Sequence, residues 1–121
     1  MEWKFVINDE NKYLEVITSG VADVDSSLNM ATSIASEMKS HQFKKVLIDH
    51  RNLSGVIGST MDIYNRPKAL KDSGAEFGSK IAEIIKPEHV KLFRFFETVC
   101  VNRGFQVSIF QDKEKALSWL L

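Results

Sequence analysis

The sequence predicts one α/β domain over residues 1–121, with a mixed, mostly parallel β-sheet flanked by helices in the order ββαβαβαβα. Short apolar runs, typical of strands, alternate with stretches in which apolar residues recur every three or four positions, as they do in helices. Strands that are separated by helices favour right-handed crossovers and parallel pairing. The chain shows no repeat or linker that would divide it into two domains.

The chain begins with a predicted hairpin that is followed by a helix. Apolar residues alternate over 3–18, interrupted by the polar segment 8–11, as expected for two antiparallel strands. The spacing then becomes helical. The apolar residues that share one face of this helix are Val24, Leu28, Ala31, Ala35 and Met38. Asp23 or Asp25 is placed to cap its first turn.

The middle of the chain is predicted to form a strand, a loop and an interrupted helix. The continuous apolar run 46–48 is typical of a strand that is covered on both faces. Residues 51–58 are polar and contain two glycines, so we expect a loop. Ser59 and Asp62 have the spacing of a capping box, and Pro67 is expected to split the helix that they begin.

The last third of the chain continues the alternation of strands and helices. The glycine-containing stretch 72–78 is expected to be a loop, and 81–85 a second buried strand. The residues 105–109 predict a last strand, and Asp112 is expected to cap a short terminal helix.

A further helix is predicted between Pro87 and Gly104, since proline favours the start and glycine the end of a helix. Its apolar arc consists of Leu92, Phe93, Phe95, Phe96, Val99 and Cys100. We expect this arc to pack in the core, with Cys100 acting as a small buried hydrophobe. Phe93 and Phe96 are also compatible with a pocket wall for an apolar ligand or lipid, because small domains bind such ligands between helix and sheet.

Composition excludes several classes of function. Sixteen basic and sixteen acidic residues balance, so the chain has no basic field for nucleic acid. With one cysteine and three scattered histidines we expect no disulfide, no metal site and no cofactor. The apolar runs are too short to span a membrane and the first residues do not resemble a signal peptide, so we expect a cytoplasmic protein.

The segment after the third predicted strand is the best candidate for a binding site. In an open sheet the binding crevice lies beyond the carboxyl ends of the parallel strands, and a helix start there favours an anion. The segment contains no lysine before its serine, and only two residues separate its glycines, which excludes a nucleotide-binding loop. The residues proposed to contact a protein partner or a small anion are Asp49, His50, Arg51, Ser54, Gly58, Ser59 and Thr60.

The same segment also contains the residue types of a hydrolytic triad. Asp49, His50 and either Ser54 or Ser59 supply them, yet no Gly-x-Ser-x-Gly elbow accompanies the serines. Asp49 and His50 are neighbours on a strand and should point to opposite faces, so one cannot orient the other. The histidines also show no obvious pairing with a carboxylate. We therefore expect no enzyme, and rank a hydrolase centred on His50 behind a binding module and a ligand carrier.

Short strings at the ends of the predicted elements carry a family resemblance. They are Val46–Asp49, Phe96–Val99, Asn102–Gly104, Val107–Phe110 and Ala116–Leu120. These strings and the order of elements resemble the STAS-like domains, which include bacterial anti-sigma-factor antagonists and the cytosolic domains of sulfate transporters. Within this group the chain more closely resembles small stand-alone bacterial proteins, which are sometimes also compared with Sec14-type lipid-binding domains.

The resemblance implies a STAS-like fold and a non-catalytic regulatory protein. STAS antagonists carry a phosphorylatable serine in an Asp-Ser-Ser-Gly string at the helix start after the third strand. Counted from Asp49, that string falls on 57–60, where only Ser59 remains and the acidic residue and following glycine are absent. The resemblance thus implies that 51–66 is the surface for a protein partner. A homodimer through the first or last strand is left open.

Overall fold

The computed structural model of the protein describes residues 1–72, 74 and 78–121, apart from the side chain of Thr60. Most of the loop expected over 72–78 lies outside the described residues. The elements, in chain order, are β1 (Glu2–Asn8), β2 (Tyr13–Ala22), α1 (Val24–His41), β3 (Lys45–Val56), α2 (Thr60–Tyr64), α3 (Arg66–Asp72), β4 (Lys80–Ile84), a 3-10 turn (Pro87–His89), α4 (Val90–Asn102), β5 (Gln106–Phe110) and α5 (Lys113–Leu120).

The described strands form one sheet in the order β1-β2-β3-β4-β5. β1 pairs with β2 in antiparallel fashion, and every other neighbouring pair is parallel. This confirms the predicted mixed, mostly parallel sheet with an antiparallel hairpin at one edge. The parallel strands β3, β4 and β5 therefore direct their carboxyl ends to the same edge of the sheet, where the candidate site was expected.

Helices cover both faces of the sheet, so alternate residues of β3 are buried on opposite sides. Val46 and Ile48 belong to a core cluster with residues of α1, whereas Leu47 packs in a second cluster with Ala116 and Leu120 of α5. The apolar run 46–48 is thus covered on both faces, as predicted. A third cluster joins α3, α4 and the end of the sheet; its buried members are Leu70, Cys100, Phe105 and Val107.

The predicted caps are confirmed, whereas Pro87, expected to open a helix, begins a 3-10 turn and α4 starts at Val90. The Asp23 carboxylate accepts the N–H of Ser26 at 2.8 Å at the start of α1, and Asp112 caps α5 in the same way. The helix expected after Ser59 is split ahead of Pro67, with α2 ending at Tyr64 and α3 beginning at Arg66.

The loop expected over 51–58 is wrong for most of its length, because β3 continues to Val56. Ile17 pairs with Asp49 and Ser19 with Asn52, so β3 holds one extra residue between these pairs. A second extra residue follows Leu53, since Gly20 pairs with Leu53 and Val21 with Gly55. These β-bulges break the alternation of apolar and polar residues, which is why the sequence does not resemble a strand here.

Two helical faces differ from the prediction. In α1 the buried side chains are Met30, Ile34 and Met38, so the buried stripe lies to one side of the predicted face. In α4 only Val99 and Cys100 are fully buried; Phe95, which was expected in the core, is 38% exposed. The outer limit of a helical arc depends on how far neighbouring elements reach around the helix, and spacing alone does not encode that distance.

Candidate functional site

The bulged end of β3 is held in place by hydrogen bonds to β2 and to the residue Lys86 that follows β4. The N–H of Ile57 donates to the carbonyl of Ala22 at 2.7 Å and so extends the β2–β3 pairing by one residue. The Lys86 ammonium, just after β4, donates to the carbonyl of Leu53 at 2.6 Å. The segment 51–57 is therefore an ordered part of the sheet, and it fixes the position at which α2 begins.

Ser59 begins α2 through a reciprocal capping box. Its hydroxyl accepts the N–H of Asp62 at 3.2 Å, and the Asp62 carboxylate accepts the N–H of Ser59 at 2.8 Å. These hydrogen bonds from the backbone and side chain of Ser59 lower the pKa of Asp62 below its ordinary value. Ser59 itself is exposed, so its hydroxyl is both a structural cap and accessible from solvent.

Large apolar side chains are exposed around this helix start. We define the α2 surface as Val21, Ile57, Met61 and Tyr64, whose exposed fractions are 40%, 65%, 63% and 50%. Val21 and Ile57 lie at the adjoining ends of β2 and β3, and Met61 and Tyr64 are three residues apart on one side of α2. The Arg103 guanidinium lies 5.1 Å from the centre of the Tyr64 ring. Large exposed apolar side chains on a short helix and at the adjoining strand ends are suited to contact with another protein.

Asp49 and Arg51 form a pair on one face of β3. The guanidinium donates from Nε and Nη2 to the two carboxylate oxygens at 3.0 and 2.8 Å, and the N–H of Arg51 donates to Oδ1 at 3.0 Å. Burial of the carboxylate opposes ionisation, yet the hydrogen bonds from Arg51 outweigh it and hold the pKa of Asp49 below its ordinary value. Both oxygens of the Asp49 carboxylate thus accept hydrogen bonds from Arg51.

His50 points to the opposite face of β3, as the alternation predicted, and it is buried there. Its Nδ1 lies 2.8 Å from the Thr18 hydroxyl, its Nε2 lies 3.4 Å from a carboxylate oxygen of Glu83, and the Phe93 ring packs on it at 5.3 Å. The expectation that no histidine pairs with a carboxylate is therefore wrong; His41 also lies 3.3 Å from Glu37.

Sequence reasoning missed Glu83, because it lies inside the predicted apolar strand 81–85 and meets His50 only through the pairing of β3 with β4. We call Thr18, His50 and Glu83 the buried polar cluster. Among the described residues, the second carboxylate oxygen of Glu83 has no hydrogen-bond partner. Burial lowers the pKa of Arg66, at the start of α3, and Glu83 is the strongest charge that opposes this effect. The charge of Glu83 therefore acts on Arg66 at the start of α3.

The predicted site residues thus separate into two groups. Arg51, Ser54, Gly58 and Ser59 are exposed around the end of β3, whereas Asp49 and His50 are buried on opposite faces. Thr60 begins α2, but its side chain lies outside the described part. The structure does not bring Asp49 and His50 into hydrogen-bonding contact, because the carboxylate binds Arg51 and the imidazole lies among Thr18, Glu83 and Phe93.

The ligand pocket expected at Phe93 and Phe96 stays a prediction. Both rings are half-buried and pack edge to face, with their centroids 6.4 Å apart. A separate cavity of about 40 Å³ lies under α2, lined among others by Ser27, Gly58 and Arg66. It is too small for a metabolite, since ligand pockets are typically several hundred Å³.

Metal ligands and membrane-spanning helices were sought among the residues that the structure describes. No group of three or more His, Cys, Asp or Glu side chains among these residues could hold a metal ion. No helix in this part of the chain is long and apolar enough to cross a membrane.

The sheet order and the helices around it define an α/β protein with the SpoIIAA-like (STAS) fold, which confirms the resemblance at the level of the fold. A protein from Shewanella loihica with a SpoIIAA-like fold is 20% identical, with a TM-score of 0.61, and the match covers 99% of this chain and 93% of that one. A putative anti-sigma factor antagonist from Thermotoga maritima is 13% identical, with a TM-score of 0.60 and coverage of 98% and 93%.

The anti-sigma factor antagonist SpoIIAA, in its unphosphorylated form, is 12% identical, with a TM-score of 0.55 and coverage of 98% and 96%. No family model matches the sequence, and no curated protein matches it. The structural neighbours therefore establish the fold alone.

Proposed function

We propose that the protein is a non-catalytic regulatory module of the cytoplasm that binds a protein partner through residues 51–66. The observation that carries this proposal is the α2 surface, where four large apolar side chains are exposed around a capped helix start. Proteins of the same fold are anti-sigma factor antagonists, including SpoIIAA. A regulatory role that depends on binding a protein is consistent with those neighbours.

The chemistry of the surface suits a partner with an apolar contact area. Met61 and Ile57 offer flexible and branched aliphatic groups, and Tyr64 offers a ring that is already contacted by Arg103. Aromatic and arginine side chains with surrounding aliphatic contacts commonly supply most of the energy of an interface. Ser59 lies at the head of this surface, so a change of charge there would act directly on the contact.

Mutations on and off the α2 surface test this proposal. A protein captured from the native cell with the full chain would be identified, purified and titrated calorimetrically against wild type and Met61→Glu. Loss of one interface anchor should weaken binding by about 10-fold or more. Val101→Glu is the matched control, because Val101 is 51% exposed but lies on α4 outside residues 51–66.

Equal losses for Met61→Glu and Val101→Glu would contradict the assignment of the surface. A captured protein whose affinity is unchanged by Met61→Glu would show that binding occurs elsewhere on the molecule. Thermal melting of each variant confirms that the comparison is made between folded proteins.

A further inference from the structure

The outer edge of β5 presents backbone groups in a defined direction. The carbonyl of Phe110 accepts the N–H of Ile85 at 2.8 Å, so Phe110 directs its backbone groups toward β4. In a parallel pair, alternate residues direct their N–H and C=O groups to opposite sides. Val107 and Ile109 therefore direct theirs away from β4, at the open edge of the sheet.

Glu97 covers part of this edge. Its Oε2 accepts the N–H of Ile109 at 2.7 Å, and its Oε1 lies 3.7 Å from the Arg94 guanidinium. The Glu97 carboxylate thus takes the position that a carbonyl group of an added strand would take. A side chain supplies only the acceptor, whereas an added strand also supplies N–H donors for the outward carbonyls of β5.

A groove of about 220 Å³ runs along the carboxyl end of this edge. Val90 and Arg94 of α4 line one side, Ile109 to Gln111 form the base, and Asp112 and Lys115 of α5 line the other side. The Asp112 carboxylate accepts the N–H groups of Glu114 and Lys115 as the cap of α5. Arg94, Lys115 and Asp112 are all exposed, so the groove lining holds two positive charges and one negative charge and is positive on balance.

We propose that the outer edge of β5 binds an extended acidic segment of a protein partner by strand addition. The backbone of the segment replaces the Glu97 carboxylate on the N–H of Ile109. Side chains of an added strand alternate between the two faces of the sheet. Acidic residues of the segment therefore meet Arg94 on the α4 side and Lys115 on the α5 side. Strand addition derives affinity from main-chain hydrogen bonds and specificity from such side-chain contacts. This edge lies outside residues 51–66 and is independent of the proposed function.

The test uses two labelled threonine heptapeptides, one with three consecutive glutamates at its centre and one with three consecutive lysines there, so that charged side chains reach both faces of the added strand. Fluorescence anisotropy measures their binding to the full chain, and hydrogen exchange by NMR follows the amide of Ile109. We expect the glutamate peptide to bind at least about 10-fold more tightly than the lysine peptide. Its binding should slow exchange at Ile109, because the added strand covers this amide more fully than one side chain does.

Substitutions then assign the contacts. Glu97→Ala removes the competing carboxylate and should increase the affinity for the glutamate peptide several-fold, roughly as expected for one charge-assisted hydrogen bond. Arg94→Ala should lower that affinity, whereas Lys91→Ala, also on α4 but away from the groove, should not change it. Met61→Glu should likewise leave peptide binding unchanged.

Several results would overturn the proposal: no binding of the glutamate peptide, equal affinities for the two peptides, or unchanged exchange at Ile109 in the bound state. An affinity that does not respond to Glu97→Ala would also overturn it. Should that variant fail to fold, Glu97→Gln takes its place, because its amide oxygen keeps an acceptor near Ile109 while it removes the charge.

Discussion

Replacement of Glu83 is expected to destabilise the protein strongly unless His50 is replaced as well. The two side chains are each 5% exposed and face each other across β3 and β4 at 3.4 Å. Removal of one member of the pair leaves a buried polar partner without its hydrogen bond, which costs about 1–3 kcal/mol. Because this contact is longer than an ideal hydrogen bond and one Glu83 oxygen is unpartnered among the described residues, we expect Glu83→Leu to lie near the middle of that range, at about 2 kcal/mol.

The pair His50→Leu and Glu83→Leu should show strong coupling. Each single change leaves the other polar group buried, while the double change removes both and leaves an apolar contact. We therefore expect the double variant to be more stable than the sum of the single effects by about 2 kcal/mol. Glu83→Gln, which keeps the shape of the side chain and loses its charge, is the matched control and should cost less than Glu83→Leu.

Urea unfolding, followed by the fluorescence of Trp3 and Trp119 and by circular dichroism, measures these free energies of unfolding. Effects that add to within about 0.5 kcal/mol would refute the reasoning, because they would show that the two side chains stabilise the protein independently. A Glu83→Leu variant as stable as wild type would refute it too.

Three further predictions concern single positions. Ser59→Ala should lower the free energy of unfolding by about 0.5–2 kcal/mol in urea unfolding, whereas Ser59→Asp, an equally good cap, should be close to wild type; equal losses in both would argue against the capping role. The pKa of Asp49 is lower in the folded protein, so its contribution to stability is present above pH 3.8 and is lost as the pH falls further toward the folded-state pKa. Asp49→Asn should flatten acid unfolding curves in that range, and an unaltered curve would contradict the role of the Arg51 pair. Burial raises the pKa of Cys100 to about 12, so native protein should react with iodoacetamide only after unfolding, as followed by mass spectrometry; rapid labelling at neutral pH would contradict its burial.

The sequence was sufficient for features that depend on neighbours along the chain. The caps at Asp23, Ser59 and Asp112 and the break ahead of Pro67 each follow from the chemistry of a few adjacent residues. Contacts that depend on sheet register were not predictable in the same way. The meeting of His50 with Glu83 requires β3 to pair with β4 in one register, and 51–56 form a strand only because β2 continues beside them.

The sequence accordingly predicted the position of the candidate site in the fold, but not its exposed apolar side chains. The exposed positions around Ser59 lie at the carboxyl end of β3, where parallel topology places them. The exposure of Ile57, Met61 and Tyr64 was not predicted, because it depends on what the surrounding elements leave uncovered rather than on hydropathy alone.

The shallow seating of α2 makes the proposed partner surface largely independent of the core. None of the side chains described in this five-residue helix is fully buried, whereas α1, α4 and α5 each contribute buried side chains to the core clusters on the sheet. Substitutions at exposed positions away from caps usually change stability by less than about 0.5 kcal/mol. Substitution of Met61 or Tyr64 should therefore alter the proposed partner surface with little effect on the stability of the core.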